Sequence, residues 1–141
     1  MRHIYETPAY VAVLPSLAVM IDYAFTFFLA GNTAMILQWE ASPFVRFAVK
    51  NNIMVLYLIA IIVFYYVAAF AVLRILHPTC YYPYGLGLIL LVSVTHILGG
   101  LSWQFKNAWY SNGIVILSLV SIFISLCLFG YTYIRHCNSS P

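Results

Sequence analysis

The sequence predicts an all-α integral membrane protein, a bundle of four transmembrane helices with a short interfacial amphipathic helix between the first two. The chain has 141 residues, 65% hydrophobic and 6% charged, and its mean hydropathy is +0.97. A soluble domain carries about a quarter of its residues as Asp, Glu, Lys and Arg. Four apolar runs can cross roughly 30 Å of hydrocarbon at about 1.5 Å per residue. We place them at about residues 10–32, 53–74, 84–104 and 113–134, in one transmembrane domain covering residues 1–141.

The first span carries an aspartate near its middle, where a membrane helix is expected to be apolar. A charge at this depth costs about 2.5–3.5 kcal/mol even on insertion scales, so Asp22 should be paired, protonated or turned towards a cavity. Pro15 removes one backbone hydrogen bond, which predicts a kink one to two turns before Asp22. Ala18, Asp22 and Thr26 follow Pro15 on one face, and such small or polar faces pack against other helices. We expect Thr26 to share a hydrogen-bond network with Asp22.

The connection between the first two spans is too apolar to be an ordinary loop. Residues 34–39 (AMILQW) either extend the first helix or lie in the membrane interface, and Glu40 follows them directly. A straight extension would leave Glu40 about 27 Å from Asp22 at the helical rise. Glu40 reaches the depth of Asp22 only if this segment folds back into the bundle.

A helix-start signal follows Glu40. Ser42 and Pro43 provide a serine N-cap and a proline at the first helical position. We therefore predict an amphipathic helix lying on the membrane at about residues 43–50. Its two faces carry different side chains: Phe44, Phe47 and Ala48 on one, Arg46 and Lys50 on the other.

The remaining spans differ in polarity. The second has no ionisable group other than three tyrosines, and we expect a plain lipid-facing helix. The third contains His96, with Ser93 and Gly100 at spacings of three and four and Gly99 adjacent. Glycines at such positions let another helix approach closely. The fourth has a stripe of serines that indicates a packing face: Ser118, Ser121 and Ser125.

Asp22 and His96 are expected at matching depth. Asp22 lies about nine residues before the end of its span and His96 about eight, and both spans run towards the same side. We predict that the two side chains pair, with Thr26 in support. Three interpretations stay open: a buried contact that specifies packing, a metal site with Glu40 as a further ligand, or a proton-handling or catalytic acid–base pair. No cofactor is predicted other than a metal ion at this site.

Three short motifs follow one another along the chain: Asp22-x3-Thr26, Glu40-x-Ser42-Pro43, and a later helix with His96, Gly99 and Gly100. Over residues 20 to about 105 this order resembles an uncharacterised family of small four-helix integral membrane proteins of archaea and bacteria. The pattern of that family is Asp-x3-Thr … Glu-x-Asn-Pro, and the chain has Ser42 in place of the Asn. The family supplies no settled activity. The resemblance implies that the acid, hydroxyl and imidazole groups of these motifs belong together.

The predicted topology places both termini on one side of the cell membrane with the turn at 75–83, and the connections at 33–52 and 105–112 on the other. Three cations lie on each side, so the positive-inside rule leaves the orientation open. Cys80 and Cys137 fall on the terminal side. They can form a disulfide if that side faces an oxidising compartment.

The sequence has no nucleophile–base motif, phosphate-binding loop or redox motif, and this favours a non-catalytic accessory subunit of a larger membrane complex, such as a respiratory or oxidase assembly. The expected partners are membrane lipids and other integral membrane subunits or further copies of the chain. Six scattered cations argue against a nucleic-acid partner. The alternative is a membrane-embedded site protein, a metal-dependent hydrolase or a proton- or ion-conducting oligomer, that uses the Asp22–His96 pair.

Overall fold

The structure is a computed structural model that describes residues 7–105 and 107–138, without the side chains of 132, 133 and 135–138. The described part of the chain consists of α-helices and short connections. In chain order the helices are α1 (Pro8–Val11), α2 (Val13–Ala30), α3 (Thr33–Trp39), α4 (Pro43–Lys50), α5 (Met54–Leu76), α6 (Tyr82–Phe105) and α7 (Ala108–Asn138). The predicted all-α fold is confirmed.

Four segments of the described chain are long and apolar enough to cross a membrane: Pro8–Ala30, Met54–Leu76, Tyr82–Phe105 and Ala108–Tyr131. They correspond to the four predicted spans, and the protein is a membrane protein. The last helix begins at Ala108 rather than at residue 113, so residues 108–112, which were predicted to belong to the connection, are part of the helix. The helix predicted at residues 43–50 is α4.

Pro15 interrupts the first span close to its beginning. Proline has no N–H to donate to the carbonyl four residues earlier, which here belongs to Val11. Helix α1 ends at Val11 and α2 begins at Val13, with Ala12 between them at φ −63° and ψ −17°. The interruption therefore lies about three turns before Asp22, further from it than the predicted kink.

The segment after α2 turns back instead of continuing the helix. Gly31 ends α2 with a φ of +74°, a conformation that disfavours any side chain. Asn32 then caps α3, since its side-chain oxygen accepts a hydrogen bond from the Met35 N–H at 2.9 Å. The Ser42 hydroxyl caps α4 in the predicted way. Helix α3 is thus a separate element and does not extend α2.

Helices α2 and α6 form the centre of the bundle, α5 packs against both, and α7 packs against α6. Two apolar clusters hold this arrangement. One joins the beginning of the first span to α5 and α6: Val11, Ala12, Ala69, Leu73 and Ile89. The other joins the ends of α2 and α6 to helices α3 and α4, which together we call the fold-back segment: Ala30, Ile36, Val45 and Trp103. Asp22 lies between the two clusters along α2, and His96 lies between them along α6.

Helix α4 has three faces rather than the two predicted. Val45 and Ala48 are each 1% exposed and face the protein. The exposed side chains are two apolar ones and two cations: Phe44, Phe47, Arg46 and Lys50. Ala48 was expected beside the two phenylalanines, but the fold-back of α3 gives α4 a protein-facing side that contains it.

Candidate functional site

The two central helices approach most closely where Gly100 of α6 meets the backbone of Asp22. A Cβ atom on Gly100 would lie 2.8 Å from the Asp22 Cα and 2.9 Å from its carbonyl oxygen, which is too close for a side chain. At Gly99 a Cβ atom would lie 3.6 Å from Asp22 Oδ2, an ordinary contact. Gly100 is the residue that permits this approach, and it lies four residues, about one helical turn, after His96 on α6.

The structure brings the Asp22 and His96 side chains together. Asp22 Oδ2 lies 2.9 Å from His96 Nδ1, and the two side chains are 19% and 24% exposed. A neutral His96 with its proton on Nδ1 donates that proton to the Asp22 carboxylate in a hydrogen bond. A protonated His96 makes the same contact as an ion pair.

The second ring nitrogen of His96 contacts Tyr65, a residue of the second membrane span. His96 Nε2 lies 2.7 Å from the Tyr65 hydroxyl oxygen, and the two rings meet edge to face with centroids 4.7 Å apart. With the His96 proton on Nδ1, Nε2 accepts the hydrogen bond that the Tyr65 hydroxyl donates. Asp22, His96 and Tyr65 thus form a continuous hydrogen-bonded chain across α2, α6 and α5, which we call the central triad.

Sequence reasoning missed the contribution of α5. The second span was expected to be a plain lipid-facing helix, but Tyr57 and Tyr65 both turn towards α2 and α6. They are eight residues apart, a spacing that puts them two turns apart on one face of a helix. This spacing was the available signal, and Tyr66, which is off this face, stacks on Phe70 instead.

A second polar contact lies beside the central triad. The hydroxyl oxygens of Tyr23 and Tyr57 are 3.0 Å apart, and the rings are perpendicular, at 89°. Either hydroxyl can be the donor. We call these residues the tyrosine pair. Both pack against the apolar cluster that contains Ile36 of α3 and Val45 of α4, so the pair lies between the triad and the fold-back segment.

Glu40 lies on the connection between α3 and α4, where its half-buried carboxylate accepts a hydrogen bond from the Ser42 N–H at 2.9 Å. Burial raises the pKa of Glu40 above its ordinary value, because the charged form loses water. The negative charge of Asp22 raises this pKa further, whereas the Ser42 N–H and the Arg46 guanidinium oppose the shift. The two acids interact, which the fold-back of α3 makes possible and a straight extension of α2 would prevent.

The other predicted contacts of this site are not made in the described chain. Thr26 is 2% exposed, but no described hydrogen bond joins its hydroxyl to Asp22. Among the side chains that the structure describes, no group of three His, Cys, Asp or Glu residues is arranged to hold a metal ion. Glu40 is therefore not gathered with Asp22 and His96 into a set of metal ligands.

The predicted disulfide between Cys80 and Cys137 lies outside the described residues, because the side chain of Cys137 is not among them. Cys80 is exposed on the connection between α5 and α6.

The central triad has the chemistry of a proton relay. A carboxylate, an imidazole and a phenol in one hydrogen-bonded chain can each gain or lose a proton. When His96 passes its Nδ1 proton to Asp22, Nε2 can take the proton of Tyr65, and only the hydrogen atoms move between the three side chains. Ionisable residues at this depth in a membrane protein are associated with proton and ion pathways.

Comparison of the chain with models of known families, with curated proteins and with solved structures gives no match. The resemblance to the four-helix family therefore stays a prediction from its residues. The proposal for function rests on the geometry of the central triad.

Proposed function

We propose that the protein handles protons inside the membrane, with the central triad as its working site, and that an oligomer of the chain conducts them across the bilayer. The observation that carries this proposal is the unbroken hydrogen-bonded chain from Asp22 through His96 to Tyr65. Three different spans supply its three titratable groups. Four helices leave no room for a pore of their own, which is the reason for proposing an oligomer.

Magnitudes favour this function over a packing role for the triad. A hydrogen bond between membrane helices contributes about 0.6 kcal/mol on average and about 1.7 at most. A charged residue at the membrane centre costs about 2.5–3.5 kcal/mol. A stabilising contact alone does not recover that cost, whereas a proton-handling role requires an ionisable group at this depth.

Proton flux into liposomes tests the proposal. The purified protein is reconstituted into liposomes that enclose a pH-sensitive dye, and a potassium diffusion potential drives protons across the membrane. We expect flux from the wild type and a fall of about a hundredfold in Asp22→Asn and His96→Ala, the order of effect of one lost acid–base group. Tyr65→Phe should lower the flux less, because His96 and Asp22 keep their own contact.

The matched control is Tyr66→Phe, which removes the same hydroxyl from the neighbouring residue of α5. Tyr66 stacks on Phe70 with ring centroids 6.2 Å apart and is not part of the triad. The Tyr66→Phe variant should conduct protons as the wild type does. A wild type that carries no protons overturns the proposal, and so does an Asp22→Asn variant with unchanged flux.

A second candidate function is that of an accessory subunit in a larger membrane complex. The observation that favours it is α7, which packs against α6 and leaves most of its large apolar side chains exposed: Val115, Ile116, Leu119, Val120, Ile122, Phe123, Leu126 and Phe129. Other membrane subunits can cover such a surface as lipid does. Purification from the native membrane in mild detergent tests this function. Stoichiometric partner subunits support it, and a partner-free oligomer counts against it.

A further inference from the structure

We propose that Glu40 is the proton-uptake group of the protein and supplies protons to Asp22 from the side of the membrane on which the α3–α4 segment lies. Both residues of the tyrosine pair pack against the apolar cluster that contains Ile36 of α3 and Val45 of α4, the helices on either side of Glu40. This inference rests on the proposed function, which does not itself assign a side or an uptake residue.

The fold-back of the chain holds Glu40 in place. The Glu40 N–H donates to the Ile36 carbonyl oxygen at 2.9 Å and so closes the last turn of α3. Its carboxylate accepts from the Ser42 N–H, at the beginning of α4. Ile36 and Val45, each 1% exposed, anchor the two short helices in one apolar cluster. A carboxylate between two anchored helices keeps a fixed position relative to the bundle.

The route from Glu40 to Asp22 passes groups that can carry a proton. Tyr23 interacts electrostatically with both Glu40 and Asp22, and its hydroxyl is paired with that of Tyr57. A phenol can accept a proton on its oxygen while it gives up its own. In the net step one proton leaves a Glu40 carboxyl oxygen, one proton binds an Asp22 carboxylate oxygen, and only O–H bonds break and form.

The charges around Glu40 suit an uptake group. Asp22 and Tyr23 of α2 interact with it electrostatically, Arg46 of α4 opposes the negative charge of Asp22, and the Ser42 N–H donates a hydrogen bond to its carboxylate. Burial raises the pKa of Glu40, so it holds a proton at a higher pH than an exposed glutamate does. The Asp22 charge adds to this effect. Glu40 therefore binds a proton most readily when Asp22 carries its negative charge, which is the state in which Asp22 can accept that proton.

Proton flux in liposomes gives the first test. We expect Glu40→Gln to lower the flux about a hundredfold, the order of effect of one lost acid–base group. The matched control is Glu6→Gln, the same substitution at the only other glutamate of the chain, which should leave the flux unchanged. Loss of flux in Asp22→Asn with full flux in Glu40→Gln overturns this inference and leaves the proposed function standing. No flux in the wild type overturns both.

A titration that does not depend on flux gives the second test. The chain has one aspartate and two glutamates, so ¹³C labels on the side-chain carboxyl carbons of Asp and Glu yield three signals, which the single variants assign. We expect the Glu40 signal to titrate at a lower pH in Asp22→Asn than in the wild type, because the neighbouring negative charge is gone. The Glu6 signal should not move. A Glu40 titration that is the same in both proteins overturns the inference, since the two acids are then not coupled.

Discussion

Helix α6 packs against α2 on one side and against α7 on the other, and the two interfaces are built differently. Towards α2 it presents His96, which bonds to Asp22, and Gly100, which meets the Asp22 backbone directly. Towards α7 the polar side chains bond within their own helix. Ser121 donates to the Leu117 carbonyl oxygen at 2.9 Å, and Ser125 donates to that of Ser121 at 2.8 Å.

One described hydrogen bond does cross from α7 to α6, and its position supports the same contrast. The Tyr110 hydroxyl donates to the Leu98 carbonyl oxygen at 3.1 Å, near the turn that joins the two helices. Small and polar residues at helical spacing are therefore not enough to indicate a bond between helices. The Asp22–His96 contact fixes the position of α2 along α6. Ser121 and Ser125 of α7 bond to carbonyl oxygens of their own helix instead.

The largest effect should come from filling the space at Gly100. Gly100→Ala puts a methyl group 2.8 Å from the Asp22 Cα, so the two helices must move apart. Overpacking of this kind costs about 1–3 kcal/mol. We expect that decrease in the free energy of unfolding, measured by equilibrium unfolding in detergent micelles, together with loss of the Asp22–His96 contact.

Gly87→Ala, on the same helix, is the control, because a Cβ atom there would have no neighbour within 4 Å. It should be neutral or stabilising by up to about 1 kcal/mol, since alanine favours a helix over glycine. If Gly100→Ala is as stable as Gly87→Ala, the close approach of α2 and α6 is not a feature of the protein.

Hydropathy and spacing predicted most of what depends on one helix at a time. The four spans follow from apolar length, and the contact of Asp22 with His96 is the one that their matching depth indicates. Tyr65 was missed because a tyrosine in an apolar helix is indistinguishable by composition from an ordinary aromatic residue. The reversal after α2 was left as one of two alternatives, since the positive φ of Gly31 is a property of the folded backbone, and the interaction of Glu40 with Asp22 depends on it.

The next largest effect is the coupling between Asp22 and His96. In a double-mutant cycle with Asp22→Ala and His96→Ala, we expect a coupling free energy of about 0.6–1.7 kcal/mol, the range of hydrogen bonds between membrane helices. Ser93 provides a control on the same face of α6, because its hydroxyl bonds to the Ile89 carbonyl oxygen of its own helix. A cycle of Asp22→Ala with Ser93→Ala should give a coupling within about 0.5 kcal/mol of zero. Equal coupling in the two cycles would contradict the assignment of the α2 interface.

Glu40, on the connection between α3 and α4, should give the stability of the bundle a pH dependence. The folded-state pKa of Glu40 is raised above its ordinary 4.5 by burial, so folding favours the protonated form. The stability that this gives is fully present below pH 4.5 and is lost as the pH rises through the folded-state pKa. We expect the wild-type Tm in micelles to fall over that range, and Glu40→Gln to remove this part of the fall.

Glu6→Gln serves again as the control and should keep the wild-type dependence of Tm on pH. A Glu40→Gln variant whose Tm falls with pH as steeply as that of the wild type would show that Glu40 is solvated like any surface glutamate. The fold-back of α3 would then not bury the Glu40 carboxylate.

The smallest effect should come from the α7 side. Ser121 is 6% exposed, but its hydroxyl is satisfied by the Leu117 carbonyl oxygen within α7. Ser121→Ala removes that bond without leaving a donor unpaired on α6, so we expect a change within about 0.5 kcal/mol in the free energy of unfolding. The same micelle measurements test it. A loss as large as the Asp22–His96 coupling would mean that Ser121 bonds across to α6, and the contrast between the two interfaces would then disappear.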